Sequence, residues 1–254
     1  MTVVLTMAGH GSRFAKQGYR VPKHLIGARG QSLLDWSLRS LEAFFDQHFV
    51  FACLAEHDAD WIRARAQACG IAQVSVVSRE GVSSGQAQTA FDALANPCVQ
   101  VSPDQPLWIF NIDTFVQQGL HPAHLVGAEG CLHVFPSSDP GMSFVRCDDQ
   151  GAVIEVAEKR VISNWASVGF YGFSSVNLFR ALYSRCYAGS RSRAVSGEFY
   201  VAPMFEPLLR AGGRVVAPKL QRDWVHILGT PADVLAFDPS AVPPQGCALL
   251  GALS

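Results

Sequence analysis

An α/β architecture is predicted by three features of the sequence. Apolar strand-like runs alternate three times with helical stretches before residue 96. The run Pro106-Leu-Trp-Ile-Phe-Asn-Ile-Asp113 then suits a strand buried on both faces. Beyond it the texture changes to short strands around a hairpin turn. Together these predict a Rossmann-like sheet, mixed but mainly parallel and flanked by helices, with a smaller β-rich region following it.

The elements are justified in order. Residues 2–8 form an apolar run that stops at Gly9. Ser32 and Asp35 have capping-box spacing, and Leu34, Leu38, Leu41 and Phe45 repeat at helical intervals after them. Residues 48–55 read as a second strand. Residues 60–69 read as a helix closed by Gly70. Residues 71–78 are strand-like, and 86–95 form a helix that must stop before Pro97. In the second half, strands at 143–147 and 152–158 flank the turn Asp148-Asp-Gln-Gly151. A strand at 166–173 and a helix at 178–187 follow. Residues 198–211 read as a helix ended by Gly212 and Gly213, against the opposition of Pro203 and Pro207. Short strands at 215–220 and 224–228 and a last helix at 231–237 complete the set. The sequence thus predicts one domain over 1–237 and a tail, 238–254, without an element of its own.

Composition narrows the class. Of 254 residues 49% are hydrophobic and 16% charged, which argues against a disordered or coiled-coil chain. No run approaches the ~18 apolar residues of a membrane helix, and the N-terminal segment lacks a signal peptide's features, so a cytoplasmic protein is expected. Seven scattered cysteines without a Cys-x-x-Cys pair suit reduced thiols. The net charge of −1 argues against a nucleic-acid partner, but it conceals segregation. The first 34 residues have no acid and carry Arg13, Lys16, Arg20, Lys23 and Arg29, leaving −6 for the rest. Such a distribution is compatible with local anion capture beside an acidic, metal-holding segment, and equally with clustering on solvated faces.

The sharpest motif is Ala8-Gly-His-Gly-Ser-Arg-Phe14 with Pro22-Lys23, directly after the first strand. Glycines there let backbone N–H groups approach an anion, and Arg13 and Lys23 supply charge. A P-loop is excluded because no Gly-Lys-Ser/Thr closes the run. A dinucleotide fingerprint is excluded because Phe14 takes the third glycine position.

Strand, Gly-x-Gly-Ser-Arg-Phe, short loop and Pro-Lys together resemble the signature of nucleotidyltransferases that activate sugar phosphates and related phosphate monoesters. The fuller string, with Gly18-Tyr19 and Pro22-Lys-x-Leu25, looks most like a capsule-pathway subgroup of bacterial enzymes. The resemblance runs through residues 1–237 in the family's order. It implies a nucleotide-binding part at about 1–115 that uses Ala8, Gly9, Gly11, Ser12, Gly85, Gln86 and Thr89, and an acceptor-binding part at 116–237 that uses Glu158, Lys159 and Gly169. It also implies a magnesium ion on Asp113, at the end of Asn111-Ile-Asp113, and a closing Gly229-Thr-Pro231. Relatives carry a second metal-binding aspartate just before the late Gly-Thr. Here that place reads His226-Ile-Leu228, and the nearest candidate is Asp223. Glu198 is read as an acceptor contact or an outer carboxylate, or simply as an acid favourable to a helix start.

The implied reaction is attack by a substrate phosphate on the α-phosphorus of a nucleoside triphosphate. Its nucleophile is already an anion, so alignment and positive charge are the protein's task, with Arg13 and Lys23 as catalytic residues. Cytidylyl transfer is the preferred expectation, with Gln86 or Gln88 meeting a pyrimidine edge. The partners expected are the nucleotide and a small phosphorylated acceptor, with a homo-oligomer left open. A nucleotide-sugar-dependent glycosyltransferase would need an Asp-x-Asp where Asn111-Ile-Asp113 stands. A non-catalytic nucleotide-binding homologue is kept in view by the missing second aspartate. The spacing His121-x-x-His124 suggests a metal pair, but Pro122 and the lack of further ligands oppose zinc. His10, His24 and Trp165 are secondary site candidates, and Arg191 and Arg193 suit a loop.

Overall fold

In the computed structural model, which describes residues 1–9, 11–188 and 194–241, the first apolar run forms β1 (Thr2–Thr6). After it come α1 (Ser12–Ala15), the small hairpin β2 (Gly27–Ala28) and β3 (Gln31–Ser32), and α2 (Leu33–Arg39). The alternation continues with β4 (His48–Leu54), α3 (Ala59–Ala68), β5 (Gln73–Arg79), α4 (Gln86–Ala95) and β6 (Leu107–Asn111). The second half holds β7 (Thr114–Val116), β8 (Gly130–Pro136), β9 (Ser143–Cys147), β10 (Val153–Glu158) and β11 (Trp165–Phe173). It ends with α5 (Val176–Tyr187), α6 (Phe205–Arg210), β12 (Val215–Val216), β13 (Val225–Ile227) and α7 (Pro231–Phe237).

The parallel core runs β5-β4-β1-β6, and the sheet continues antiparallel through β11, β9 and β10, with β8 joined to β11 and β12 to β8. Chain order reverses between β1 and β6. That reversal is the switch point of an open α/β sheet, and the crevice beyond the carboxyl ends of its strands is where ligands bind. The 9–13 loop leaves β1 there, and Asn111 and Asp113 leave β6 beside it.

Burial explains the sheet's position. Leu107, Trp108, Ile109 and Phe110 are all fully buried, as expected of a strand covered on both faces. Trp108 stacks on Phe170 of β11 at 4.6 Å, and Phe44 meets both rings edge-on. Each such ring removes apolar surface worth about 1.5–3 kcal/mol from water. A smaller core of Phe14, Tyr19, Trp36, Val234 and Phe237 clamps the glycine-loop segment against α7. Tail residue Asp238 adds to that clamp, accepting the Arg29 N–H at 2.5 Å while the Arg29 guanidinium lies 4.1 Å from the Phe237 ring.

Several expectations are corrected. The capping box at Ser32 and Asp35 forms, but α2 ends at Arg39 and a 3-10 turn, Glu42–Phe44, follows. That turn rotates Phe44 rather than Phe45 into full burial. No helix starts at Glu198. Residues 195–198 form a tight turn, a 3-10 turn occupies Ala202–Met204, and only Phe205–Arg210 is α-helical. Pro203 lacks the N–H an interior helical turn requires, and Pro207 is tolerated because it falls in the first turn of α6. The strand expected at 215–220 shrinks to two residues plus a bridge from Lys219 to Val134. The sequence reading overlooked β7 and β8. The buried run Gly130-Cys-Leu-His-Val-Phe-Pro136 is the signal for β8.

His121 and His124 do not form a ligand pair. His121 Nδ1 accepts the Ala123 N–H, and His124 Nδ1 lies 2.9 Å from Nε2 of fully buried His133. Among the described residues no group of three or more His, Cys, Asp or Glu side chains is arranged to hold a metal, and no helix is long and apolar enough to cross a membrane. His10, Arg191, Arg193 and tail residues 242–254 lie outside the described residues.

Candidate active site

A cleft of about 920 Å³ opens over the carboxyl ends of β1 and β6, with an adjoining recess of about 280 Å³ under the glycine loop. Gly9, Ser12, Arg13, Asn111, Asp113, Glu198 and Gly229 line both. The loop is preorganised. Gly11, left-handed, caps α1, and its carbonyl accepts the N–H groups of Phe14 and Ala15. Ala8 lines the cleft although it is 2% exposed.

Lys23 and Asp113, 90 residues apart, are joined by a 2.6 Å hydrogen bond from Nζ to Oδ2. Burial by itself would raise the Asp113 pKa. The ion pair with Lys23, and then the field of Arg13, outweigh it and hold the carboxyl below its usual range. Asp113 Oδ1 and Asn111 Oδ1 are buried and without a hydrogen-bond partner among the described residues. Two unpaired acceptor oxygens at the cleft floor fit a hard cation, which takes oxygen ligands and needs only one or two carboxylates.

Asp223 is not brought to this point. It is exposed in the 3-10 turn Arg222–Trp224 and does not line the cleft. In β13, Ile227 pairs with Thr114 and Leu228 N–H donates to Asp113 O, so the residue opposite Asp113 is apolar Leu228. Asp223 lies five residues back, in the 3-10 turn that precedes β13. A carboxylate the sequence reading overlooked is nearer. A Cβ added at Gly229 would stand 3.5 Å from Asp113 Oδ2, 3.8 Å from an Arg13 guanidinium nitrogen and 3.8 Å from Asp233 Oδ2. Asp233 closes the cap of α7 with Thr230, and the Thr-Pro-Ala-Asp spacing is the signal that could have found it.

Gly85 does structural work at the second wall. Its φ is +144°, and a Cβ would fall 2.6 Å from the Phe199 backbone. That closeness lets Phe199 N–H donate to Ser84 O and Ala87 N–H donate to Phe199 O, which places Glu198 in the cleft. Thr89 is buried and bonds Gly85 O and Ser83 Oγ, so it braces this turn. Gln88 is committed to the Ser84 N–H, whereas Gln86 lines the cleft with Nε2 unpartnered.

The acceptor-side candidates form a chain of contacts. Glu158 bonds Ser143 Oγ, and burial raises its pKa. Burial, followed by the field of Glu158, likewise raises the Tyr171 phenol to about 12. Gly169, at φ +81°, sits where a Cβ would meet the Asn111 side-chain amide at 2.5 Å, so it holds the strand against the cleft floor. Lys159, also at positive φ, donates to Tyr200 Oη at 2.5 Å. Tyr200 is in turn hydrogen bonded with Glu198, and burial and that bond push its phenol up. Lys159 is exposed and is not part of the cleft lining, although Tyr200 is. His24 is 1% exposed, lines the recess 4.5 Å from the His57 ring, and is kept neutral by burial, its pKa lowered to about 3. Trp165 lies outside the cleft lining and stacks under Lys219.

No family model matches the chain. It is 26% identical over 232 residues to the bifunctional protein GlmU of Pelotomaculum thermopropionicum, which covers 87% of this chain, and the chain spans 47% of that relative's length. Among solved structures it resembles a nucleoside-diphosphate-sugar pyrophosphorylase from Vibrio cholerae RC9, with 31% identity, 93% and 99% of the two chains covered, and a TM-score of 0.85. The chain belongs to the sugar-phosphate nucleotidyltransferases. An inositol-1-phosphate CTP transferase from T. maritima shares the nucleotidyltransferase fold at 17% identity, with 95% and 97% coverage and a TM-score of 0.69. The resemblance in the glycine loop and the switch-point cleft are therefore features of one family.

Proposed function

We propose that the chain transfers a nucleoside monophosphate from a nucleoside triphosphate, CTP by preference, to a small phosphate monoester such as a sugar phosphate, releasing pyrophosphate. The observation that carries this reading is the Lys23–Asp113 pair under the 9–13 loop, a cation and an anion-binding backbone around a carboxylate with a free buried oxygen. An oxygen of the acceptor phosphate attacks the α-phosphorus. The bond from that phosphorus to the bridging oxygen of the β-phosphate breaks, and pyrophosphate leaves with that oxygen. No proton need move, because the nucleophile is ionised at neutral pH.

Arg13 and the loop amides face the β- and γ-phosphates and stabilise the leaving pyrophosphate. Lys23 stabilises charge at the α-phosphate. Magnesium, held by Asp113, would supply further neutralisation of phosphate oxygens. Lys159, outside the cleft lining, would act on the acceptor through Tyr200, which does line it, and Glu158 and Glu198 take hydrogen bonds from the acceptor's hydroxyls. In this reading residues 1–115 hold the nucleotide and 116–237 the acceptor. The unpartnered amide of Gln86 supports a pyrimidine, whose carbonyl oxygen would accept from it. The resemblance of the 7–14 string, with Gly18-Tyr19 and Pro22-Lys-x-Leu25, to a capsule-pathway subgroup supports a product used in capsule or surface-glycan assembly.

Pyrophosphate release, measured with four nucleoside triphosphates, with and without magnesium, over a panel of phosphate monoesters, tests the proposal. CTP should give the highest kcat/KM, and chelation should abolish release. Nucleotide binding without release over the whole panel would instead favour a non-catalytic homologue, the reading that apolar Leu228 opposite Asp113 keeps alive.

A further inference from the structure

We propose that Arg222 selects acceptors carrying a second acidic group, a carboxylate or a further phosphate, at the end remote from the reacting phosphate. The inference rests on the nucleotidyl-transfer reading. Among the described residues, Arg13 and Arg222 are the cationic side chains that line the large cleft, and they belong to opposite ends of it. Arg13 belongs to the glycine-loop end, beside Gly229 and Asp113. Arg222 lies over the Phe135 ring, 5.3 Å from its centroid. Phe135 pairs with Ala166, three residues along β11 from Gly169, which packs on Asn111. At about 3.3 Å per residue, and with a bulge in β11 between Ser167 and Tyr171, that sets the Phe135 end up to about 10 Å beyond the Asn111 end.

The Arg222 guanidinium is oriented but not consumed. Phe135 holds its plane, and Nη1 donates to Val225 O at 2.8 Å. No carboxylate among the described residues forms an ion pair with it, and a guanidinium has five N–H donors in a fork suited to carboxylate or phosphate. Besides apolar Met142, Val168 and Ile227, the cleft lining carries carboxylates and hydroxyls. Asp139 is engaged with the Gly141 N–H, and Glu158 with Ser143. An anion midway would meet these carboxylates, whereas a hydroxylated body would suit them. The charge pattern along the cleft is therefore cation, carboxylates, cation. It fits a phosphate at one end, hydroxyls in the middle and an anion at the other end. A neutral far end offers Arg222 only hydroxyl contacts, which are about half as strong as charge-assisted ones.

The test compares glucose 1-phosphate with glucuronic acid 1-phosphate and glucose 1,6-bisphosphate, following pyrophosphate release by the full chain, Arg222→Gln and Arg222→Lys. The full chain should favour the two acidic acceptors by about 10-fold or more in kcat/KM, a difference of about 1.4 kcal/mol. Added salt should shrink that preference. Arg222→Gln should erase it, costing the two acidic acceptors about 10-fold more than glucose 1-phosphate, and Arg222→Lys should keep part of it. A neutral-acceptor preference in the full chain overturns the inference, as does an equal loss on all three acceptors in a variant whose melting curve is unchanged. Loss of selectivity alone leaves nucleotidyl transfer standing. Absence of release with every phosphorylated acceptor overturns that reading, and this one with it.

Discussion

The two walls of the cleft are built in opposite ways. The wall proposed for the nucleotide comes from contiguous segments at the ends of parallel strands: the loop after β1, Pro22-Lys23 close behind it, and Asp113 after β6. The wall proposed for the acceptor comes from antiparallel strands and turns. It gathers Ser143, Glu158 and Gly169, then Glu198 and Tyr200, and finally Arg222 from a turn near β13. The first wall carries paired charge over stiff backbone. The second is a mesh of hydrogen bonds in which burial raises the pKa of Glu158, Tyr171 and Tyr200. The difference teaches where chemistry and selectivity reside. Transition-state charge needs rigid donors, whereas acceptor choice can be varied by exchanging side chains on loops.

The largest break in this comparison comes from the first wall. Lys23→Met and Asp113→Asn should each lower kcat by about 100- to 1000-fold, with a much smaller change in nucleotide KM, because their charge matters most as the leaving oxygen develops. Steady-state pyrophosphate release measures both. An effect confined to KM would make these residues ground-state binders only. Gly85→Ala tests the hinge between the walls. Its Cβ cannot coexist with the Phe199 backbone, so about 2 kcal/mol or more of stability should be lost in urea melts. A stability unchanged from the parent chain would show that the Phe199 contact gives way without cost.

A smaller effect is expected at the second wall. Glu158→Gln keeps a hydrogen-bonding group beside Ser143 but removes charge, so acceptor KM should rise about 10-fold and nucleotide KM should stay constant. Equal changes in both constants would contradict the division of labour. The smallest effect is on pH. His24 and His133 are buried neutral, with pKa values lowered to about 3 chiefly by burial. The unfolded chain binds protons on both below about pH 6.5 while the folded chain does not. Stability is thus fully present above that pH and declines as pH falls toward 3. Thermal melts at pH 5 should come a few degrees below those at pH 7.5, and His133→Leu should shrink the gap.

Much of the first wall was legible because its signals are local. A strand ending in Gly-x-Gly, a basic residue two positions on and an apolar strand ending in aspartate each show their chemistry within a few residues. The helix over Gln86–Ala95 and the hairpin of β9 and β10 were legible for the same reason, through caps, periodicity and turn residues. The second wall was only partly legible. Glu198 was expected at a helix start, yet it stands in a turn held by Gly85, 113 residues away in the chain. Asp223 was proposed from proximity in sequence, but the pairing of β13 with β7 decides that Leu228 stands opposite Asp113. Strand β8 was overlooked although its residues are apolar.

By itself, the sequence determined the alternation of strands and helices, the glycine loop after the first strand and the carboxylate that ends the central one. Those follow from hydrophobic period, turn chemistry and charge, all of which act over short stretches of chain. Tertiary structure alone decided which strands are neighbours, which of Gln86 and Gln88 is left free, and that Arg222 lies in the cleft while its neighbour Asp223 faces away. Register and burial set those outcomes. A shift of one residue along a strand reverses the face a side chain occupies, and no local pattern records which partner supplies the register.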